Sequence, residues 1–285
     1  MNRPKTIVIT GVSTGIGYAC ADQFTKQGYR VWGSVRKEED AKRLQQELGE
    51  RFTPLLMDVT NSAAIKEASQ QVEKDLNGET LGCLINNAGI AVDGPLQHIE
   101  MDRIRQQFDV NVIGLIDVTQ NFLPLLGATK EFSGTPGRII NISSVGGQIA
   151  APFIAPYIGT KHAVEGISHS LRRELQIYGI DVIIIAPGPI ITAIWEKGIE
   201  TDAFEDTPYH EAFSNFSDYF QEMGKDGLPA KFLGSKILGI HESPKPKTYY
   251  AFLKGKMANY TLPKYLPDRT VDQIIGKQIG LLKKD

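Results

Sequence analysis

Tyr157 and Lys161 stand four residues apart, a spacing that puts both side chains on one face of a helix. A phenol beside an ammonium can move a proton to or from a carbon-bound oxygen. Reducing a carbonyl needs a proton for the developing alkoxide, and oxidising an alcohol needs one removed. A free phenol, with a pKa of about 10, is a poor base at neutral pH, and lowering that value by two or three pH units takes roughly 3–4 kcal/mol. One ammonium about 4 Å away supplies about 4 kcal/mol at an effective dielectric of about 20, so a single lysine is large enough. The spacing alone carries little, because about 0.7 chance matches are expected in a chain of this composition. Two others occur, Tyr250/Lys254 and Tyr260/Lys264. Pro263 interrupts the second, and the first lies in a strand-like run entering Gly255, so neither reads as helical. Only Tyr157 and Lys161 follow a serine-bearing strand end, Ser143-Ser144, and open a helical stretch.

A second chemistry-bearing segment sits near the amino terminus. The apolar run Thr6–Thr10 is followed by Gly11-Val12-Ser13-Thr14-Gly15-Ile16-Gly17 and then by a helical pattern, Tyr18–Gln27. Glycines let the chain turn sharply and bring backbone N–H groups close to a pyrophosphate, whose charge the helix dipole favours. The spacing is Gly-x-x-x-Gly-x-Gly, not the commoner Gly-x-Gly-x-x-Gly fingerprint. The position that separates the two nicotinamide dinucleotides lies at the end of the second strand, about 20 residues on. An acidic residue there would bond a ribose 2′-hydroxyl. Here Gly33-Ser34-Val35-Arg36-Lys37 offers two cations instead. A guanidinium grips a phosphate bidentately, so Arg36 favours NADP(H) over NAD(H). The structural alternative is that Arg36 and Lys37 are solvated charges opening the next helix.

Elements must hold these residues. Apolar runs at Thr6–Thr10, Arg30–Val35, Thr53–Met57, Leu81–Asn86, Arg138–Ile142 and Asp181–Ala186 alternate with amphipathic stretches such as Ala41–Leu48 and Ala63–Leu76. Two longer helical stretches follow, Met101–Leu126 and Tyr157–Tyr178, with Pro124 bending or ending the first. Short, wholly apolar strands alternating with helices predict a parallel sheet covered on both faces. The rhythm breaks after Ile191. Residues 193–245 show no further clean βα unit; a last strand, Thr248–Leu253, a Pro-punctuated tail and a short helix near Val271–Ile279 close the chain. With no repeat and no linker, the 285 residues read as one α/β domain.

Composition narrows the partners. A net charge of −2 gives no reason to expect nucleic acid. No apolar run approaches the roughly 18 residues of a membrane span. The five histidines lack ligand spacing, so no metal site is expected, and Cys20 and Cys83 read as buried, reduced thiols of a cytoplasmic protein.

Thr10–Gly17, Asn86-Asn87-Ala88-Gly89 and Tyr157-x-x-x-Lys161 together resemble the short-chain dehydrogenase/reductase family, over roughly residues 5 to 192. The resemblance implies a Rossmann-type, doubly wound sheet of about seven parallel strands and nicotinamide chemistry. It implies that Asn87, Ala88 and Gly89 lie near the adenosine side, and that Asp58 and Val59 contact adenine. Pro187-Gly188-Pro189-Ile190-Ile191-Thr192 matches the family's Pro-Gly-x-Ile-x-Thr, whose threonine binds the carboxamide. Ser144 precedes Tyr157 by 157 − 144 = 13 residues, as the family's substrate-holding serine does. Neighbours in a strand point to opposite faces, so Ser143 and Ser144 cannot both serve. Asn111 resembles the fourth catalytic residue, which kinks its helix and holds a water in a relay to the lysine; a locally bonded asparagine is the plainer alternative. The expected catalytic set is therefore Asn111, Ser144, Tyr157 and Lys161, with a homodimer or homotetramer formed through the two long helices.

The segment after Thr192 carries Phe213, Phe216, Phe220 and Met223 at helical spacing, with Trp195, Phe204 and Tyr209 nearby. It reads as a lid over residues 193–245 whose Phe216 and Phe220 either wall an apolar substrate pocket or pack the lid on its own domain. Few cations lie there, so a lipophilic alcohol or ketone is the expected substrate. Leu262–Arg269 and the helix after it resemble the tail of the family's steroid- and retinol-type members. Two alternatives remain: a 3-oxoacyl-thioester reductase of the same family, normally a shorter chain, and an NADP(H)-binding redox sensor without catalysis.

Overall fold

The computed structural model describes residues 4–130, 134–192 and 202–282. Seven strands, β1 (Thr6–Ile9), β2 (Arg30–Val35), β3 (Phe52–Leu56), β4 (Cys83–Asn86), β5 (Arg138–Ile142), β6 (Asp181–Pro187) and β9 (Tyr249–Phe252), form one parallel sheet. Their order is β3-β2-β1-β4-β5-β6-β9, so the chain reverses direction of winding between β1 and β4. A Rossmann-like sheet opens its ligand crevice at that reversal, beyond the carboxyl ends of the strands. A two-residue pair, β7 (Ile190–Ile191) with β8 (Leu228–Pro229), stands apart from the main sheet.

Period-two alternation between two buried layers explains why the strands are mostly apolar. Ile7 and Ile9 face one layer and Val8 the other; Ile183 and Ile185 repeat the pattern against Val182 and Ile184. The first layer is closed by α1 (Gly15–Lys26), α2 (Glu38–Leu48) and α8 (Ala230–Glu242) through Phe24, Leu44, Leu233 and Ile237. The second is closed by α3 (Ser62–Leu76) and α5 (Gly114–Phe122) through Ile65, Val72, Val118 and Phe122, with Leu171 of α6 (Ala155–Glu174) packed against it. Burial on both faces removes any need for polar alternation.

The structure differs from the sequence expectation at three places. First, Met101–Leu126 is not one helix. It runs as α4 (Met101–Phe108), a π-helical turn at Asp109–Ile113, α5, and a closing turn at Pro124–Leu126. Pro124 begins that last turn, where its missing N–H costs little. Second, the stretch 193–245 does contain a βα unit, since β8 runs directly into α8. Gly234 lets α8 lie directly on α1; a Cβ there would come 2.6 Å from the Ala19 carbonyl oxygen. Fully buried Arg138, at the start of β5, donates Nη1 to the carbonyls of Ile240 and His241 at 3.0 and 2.7 Å and Nη2 to Asp181 at 3.0 Å. A guanidinium at a helix C-terminus satisfies carbonyls that have no helical partner. Third, Tyr260 lies in a π-helical turn, Met257–Thr261, and not in extended chain. Pro263 follows that turn and opens the next, so it does not interrupt the helical geometry around Tyr260.

Among the described residues no helix is long and apolar enough to cross a membrane. Helix α7 (His210–Lys225) buries Phe213 and Phe216, and α9 (Asp268–Ile279) buries Ile279 in the same cluster.

Candidate active site

The glycine loop after β1 is shaped by contacts that leave no room for side chains. Gly11 sits at φ +70°, a backbone region that favours glycine, and a Cβ on it would meet the Ala88 Cα at 2.9 Å. A Cβ on Gly17 would lie 2.2 Å from the Gly11 carbonyl oxygen and 2.5 Å from Asn87 Nδ2. Asn87 ties the loop to β4: its Nδ2 donates to the carbonyls of Thr10 and Gly11, each at 2.9 Å. The backbone N–H groups of Asn87 and Ala88 donate to Thr10 Oγ1, both at 2.9 Å. Ser34 on β2 accepts from the Gly11 N–H at 2.9 Å. The loop is thus pinned from both neighbouring strands, and Ser13, Thr14, Gly15 and Ile16 lead from it into α1.

Other residues expected at the dinucleotide stand around this loop. Thr192 reaches Gly15, with Cγ2 3.4 Å from where a Cβ would be. Pro187, Gly188 and Ile190 lead to it from β6 and β7. Asp58, just past β3, accepts from the N–H and the hydroxyl of Thr60 at 2.9 and 2.8 Å, and Val59 beside it is buried. A Cβ on Gly89 would touch Asn111 Oδ1 at 3.3 Å. Arg36 is exposed just beyond β2 and forms no ion pair among the described residues. Sequence reasoning passed over Arg43. From α2 its Nη2 donates to the Ser13 carbonyl at 2.8 Å while pairing with Asp40 at 2.9 Å. Glycines with no space for a Cβ, a helix N-terminus and a free guanidinium at the end of β2 form a cradle that fits a phosphorylated dinucleotide.

The four expected catalytic residues converge from three elements. Asn111 lies in the π-helical turn, buried, with Nδ2 donating to the Ile90 carbonyl at 2.8 Å and to Thr160 Oγ1 at 3.1 Å. Its Oδ1 accepts from the Ile90 N–H at 2.8 Å. Those bonds reach another segment and another helix, so the locally bonded alternative does not describe it. Ser144 Oγ accepts from the Gly146 N–H at 3.1 Å and lies beside Tyr157. Ser143 turns the other way, donating to Glu165 Oε1 at 3.0 Å. Tyr157 and Lys161 share a face of α6; Lys161 Nζ lies 5.6 Å from the Tyr157 ring centre and donates to the Ile142 carbonyl at 2.9 Å.

Burial dominates the electrostatics. It pushes the Tyr157 phenol above its ordinary value of 10.0, against a smaller opposite pull from the Ser144 hydroxyl. It also lowers Lys161 to about 8, with the Glu165 carboxylate pulling back upward. Burial thus outweighs the depression of the tyrosine expected from one neighbouring ammonium. The lysine's proton is engaged with Ile142, and both groups lie where their charged forms lose water.

Around Tyr157 the walls are aromatic. Phe153, held at φ +63°, packs its ring 5.2 Å from Phe213 and 5.5 Å from Phe216, and Phe220 stacks on Phe216 at 5.2 Å. A bulky residue in the left-handed region is strained, and such strain concentrates at functional sites. Tyr157 is packed against this cluster. Trp195 lies outside the described residues, as does the rest of 193–201.

A family model described as short chain dehydrogenase matches residues 5–203. The chain belongs to the short-chain dehydrogenase family. It is 39% identical to an NADPH-dependent 3-dehydrocapnine reductase of Ornithobacterium rhinotracheale over 98% of this chain and 98% of that protein. It is 35% identical to 17-beta-hydroxysteroid dehydrogenase type 6 of Bos taurus over 96% of this chain and 88% of the relative. Among solved structures, ElxO with NADP bound superposes with a TM-score of 0.72 at 25% identity, covering 90% of this chain and 100% of that one. This short-chain dehydrogenase is an oxidoreductase that acts on the CH–OH or carbonyl group of a small molecule.

Proposed function

We propose that this short-chain dehydrogenase reduces the ketone of a lipophilic substrate of the 3-dehydrocapnine kind, with Tyr157 as the general acid. The observation that carries the reading is the half-buried Tyr157 hydroxyl placed beside Ser144, with Lys161 Nζ 5.6 Å from its ring centre on the same face of α6. A protonated phenol is the form a reduction needs, because the developing alkoxide takes a proton. The full-length match to the 3-dehydrocapnine reductase supports the substrate class. NADPH, when bound in the cradle, supplies the hydride. Gly11, Gly15 and Gly17 give its phosphates backbone donors, Arg36 takes the 2′-phosphate, and Asp58, Val59, Asn87, Ala88 and Gly89 hold the adenosine side. Pro187, Gly188, Ile190 and Thr192 orient the carboxamide. Ser144 holds the substrate oxygen, Tyr157 gives it a proton, and Lys161, with Asn111 behind it, restores that proton.

In this reading the rings of α7 close an apolar pocket, with half-buried Phe220 as the wall and Phe216 as its support. Of the expected lid over residues 193–245, α7 is the part that would cover the site of a single domain; residues 193–201 lie outside the described residues. A homodimer or homotetramer forms through the two long helical stretches, where Met101 and Phe108 of α4 and Ile113 of the π-helical turn leave apolar side chains exposed. Two buried cysteines suit a cytoplasmic location. The decisive experiment follows NADPH consumption with 3-dehydrocapnine, a steroid ketone, a 3-oxoacyl thioester and a small ketone. Preference for the small ketone or the thioester would sink the substrate assignment. Full turnover by Tyr157→Phe would sink the proton assignment. A monomer by sedimentation, unchanged by Phe108→Asp, would sink the assembly.

A further inference from the structure

Tyr157, Lys161 and Glu165 follow one another at four-residue intervals along α6, so a carboxylate succeeds the ammonium on the same face of the helix. Both are nearly sequestered from water, with Lys161 at 6% and Glu165 at 5% exposure. A charged side chain almost never takes such a position without a partner. The Glu165 carboxylate is held by three neutral donors from three separate segments. Ser143 Oγ at the end of β5 donates at 3.0 Å, Gln148 Nε2 in the following loop at 2.9 Å, and the Tyr249 hydroxyl on β9 at 3.3 Å. A second tier fixes those donors. The Tyr249 and Tyr260 hydroxyls meet at 2.7 Å, Tyr260 donates to Gln148 Oε1 at 2.7 Å, and Lys264 also donates to that oxygen. Lys264 lies 4.8 Å over the Tyr260 ring, at the exposed end of the network.

We infer that Glu165 is a positioning residue whose buried carboxylate keeps the Lys161 ammonium charged beside Tyr157. The inference rests on Tyr157 and Lys161 carrying out the proton transfer. The groups facing Lys161 leave no other candidate among the described residues. On α6 they are Tyr157 and Glu165, and from β5 the neutral Ile142 carbonyl. Those facing Glu165 are the neutral Ser143, Gln148, Tyr249 and Tyr260, with Lys264 reaching only as far as Gln148. Burial works against the ammonium, and the Glu165 charge is the one influence that works for it. Lys161 ends at about 8, so near neutral pH it is mostly charged, by a margin that depends on Glu165. The tail residues Tyr260 and Lys264 then serve the site indirectly, by fixing Gln148 and Tyr249 around the carboxylate.

The test compares Glu165→Gln, Glu165→Asp and Tyr249→Phe in the full chain by lysine-selective NMR titration of the apo protein and by the pH profile of NADPH-dependent reduction. With the two charges one helical turn apart and an effective dielectric of about 20, Glu165→Gln moves the Lys161 midpoint down by about one to two pH units. The alkaline fall in kcat moves with it, and turnover at pH 8 drops by about tenfold while the acid side stays near wild type. Glu165→Asp keeps the charge at a greater reach and lands between the two. Tyr249→Phe breaks the same network without removing the charge, and leaves the Lys161 midpoint within a few tenths of wild type. An unmoved midpoint in Glu165→Gln, a uniform loss of turnover at every pH, or an equal shift in Tyr249→Phe overturns the inference. Should Glu165→Gln not fold, a wild-type midpoint in Glu165→Asp does so. Turnover retained by Tyr157→Phe would instead overturn the proton-transfer reading, and the apo titration would still decide the role of Glu165.

Discussion

Replacing Lys161 by methionine makes a sharp test of how the site is built, because it should stabilise the protein it inactivates. The ammonium is 6% exposed, and its pKa falls from 10.5 to about 8. At about 1.4 kcal/mol per pKa unit, keeping the charge buried at pH 7 costs the folded state about 3 kcal/mol. Methionine has a similar length and no charge, so that cost disappears. Against it stands the lost bond from Nζ to the Ile142 carbonyl, 2.9 Å long, and an acceptor left unpaired there costs about 1–3 kcal/mol. The balance at pH 7 favours the variant by about 1 kcal/mol. The sign changes with pH. Between about 8 and 10.5 the unfolded chain still binds a proton that the native lysine has released, so wild-type stability rises with pH through that window. Below 8 the variant keeps its full advantage, and near 10.5 only the lost hydrogen bond remains, leaving it the weaker protein. Urea unfolding at pH 7, 8.5 and 10, without NADPH because ligand binding would stabilise the native state, reads the crossing directly. A difference between the two proteins that stays constant across this range would refute the reasoning. It would mean that the lysine titrates alike in the folded and unfolded states, as a solvated ammonium does.

Arg36→Asp should weaken NADPH binding by about 2–4 kcal/mol and leave NADH affinity nearly untouched, as fluorescence titration of both nucleotides will show. Gly17→Ala forces a Cβ to within 2.2 Å of the Gly11 carbonyl oxygen, so NADPH affinity should fall by at least about tenfold in the same titration. Phe216→Ala empties a site that is 3% exposed and ringed by Phe153, Phe213 and Phe220, so thermal unfolding should register a loss of about 3–5 kcal/mol. Phe220→Ala, at the half-buried end of the stack, should instead raise KM for lipophilic ketones more than for small ones; equal effects on both would return Phe220 to a packing role.

How much of this was legible depends on whether the cause is local. The seven strands were readable because their middles are buried on both faces and therefore mostly apolar, as Ile7, Val8 and Ile9 illustrate. The glycine loop was readable because positive φ and absent side chains restrict the residue type. Helix α8 was not. Its stretch Ala230–Glu242 carries Gly234 and Gly239, which count against a helix locally. Gly234 is there to let α8 meet the α1 backbone, a reason that lies more than two hundred residues away in the chain. Arg138 would pass for a surface charge at a strand end, yet it is fully buried and capped by α8 carbonyls. Glu165 sits one turn beyond Lys161, but its donors come from residues 143, 148 and 249, so nothing near it in sequence marks it. Pairwise arithmetic failed at Tyr157 for a related reason: it assigned the lysine a charge effect without the cost of taking both groups out of water.

That cost bears on the direction of the reaction. A tyrosine whose phenol is raised by burial holds its proton firmly, which suits donation to an alkoxide and hinders abstraction from an alcohol. On the proposed reading the reverse reaction requires Tyr157 to release its proton first, and the buried lysine, itself drawn down to about 8, gives limited help. Placing a positive charge next to the phenol would favour the phenolate. On the proposed reading, the reduction of a ketone starts from the protonation state that the fold already imposes. Alcohol oxidation has to wait for alkaline pH, where loss of the Lys161 charge works against it. The oxidative optimum is therefore squeezed between two opposing titrations, while the reductive plateau runs unbroken from the acid side to the Lys161 midpoint.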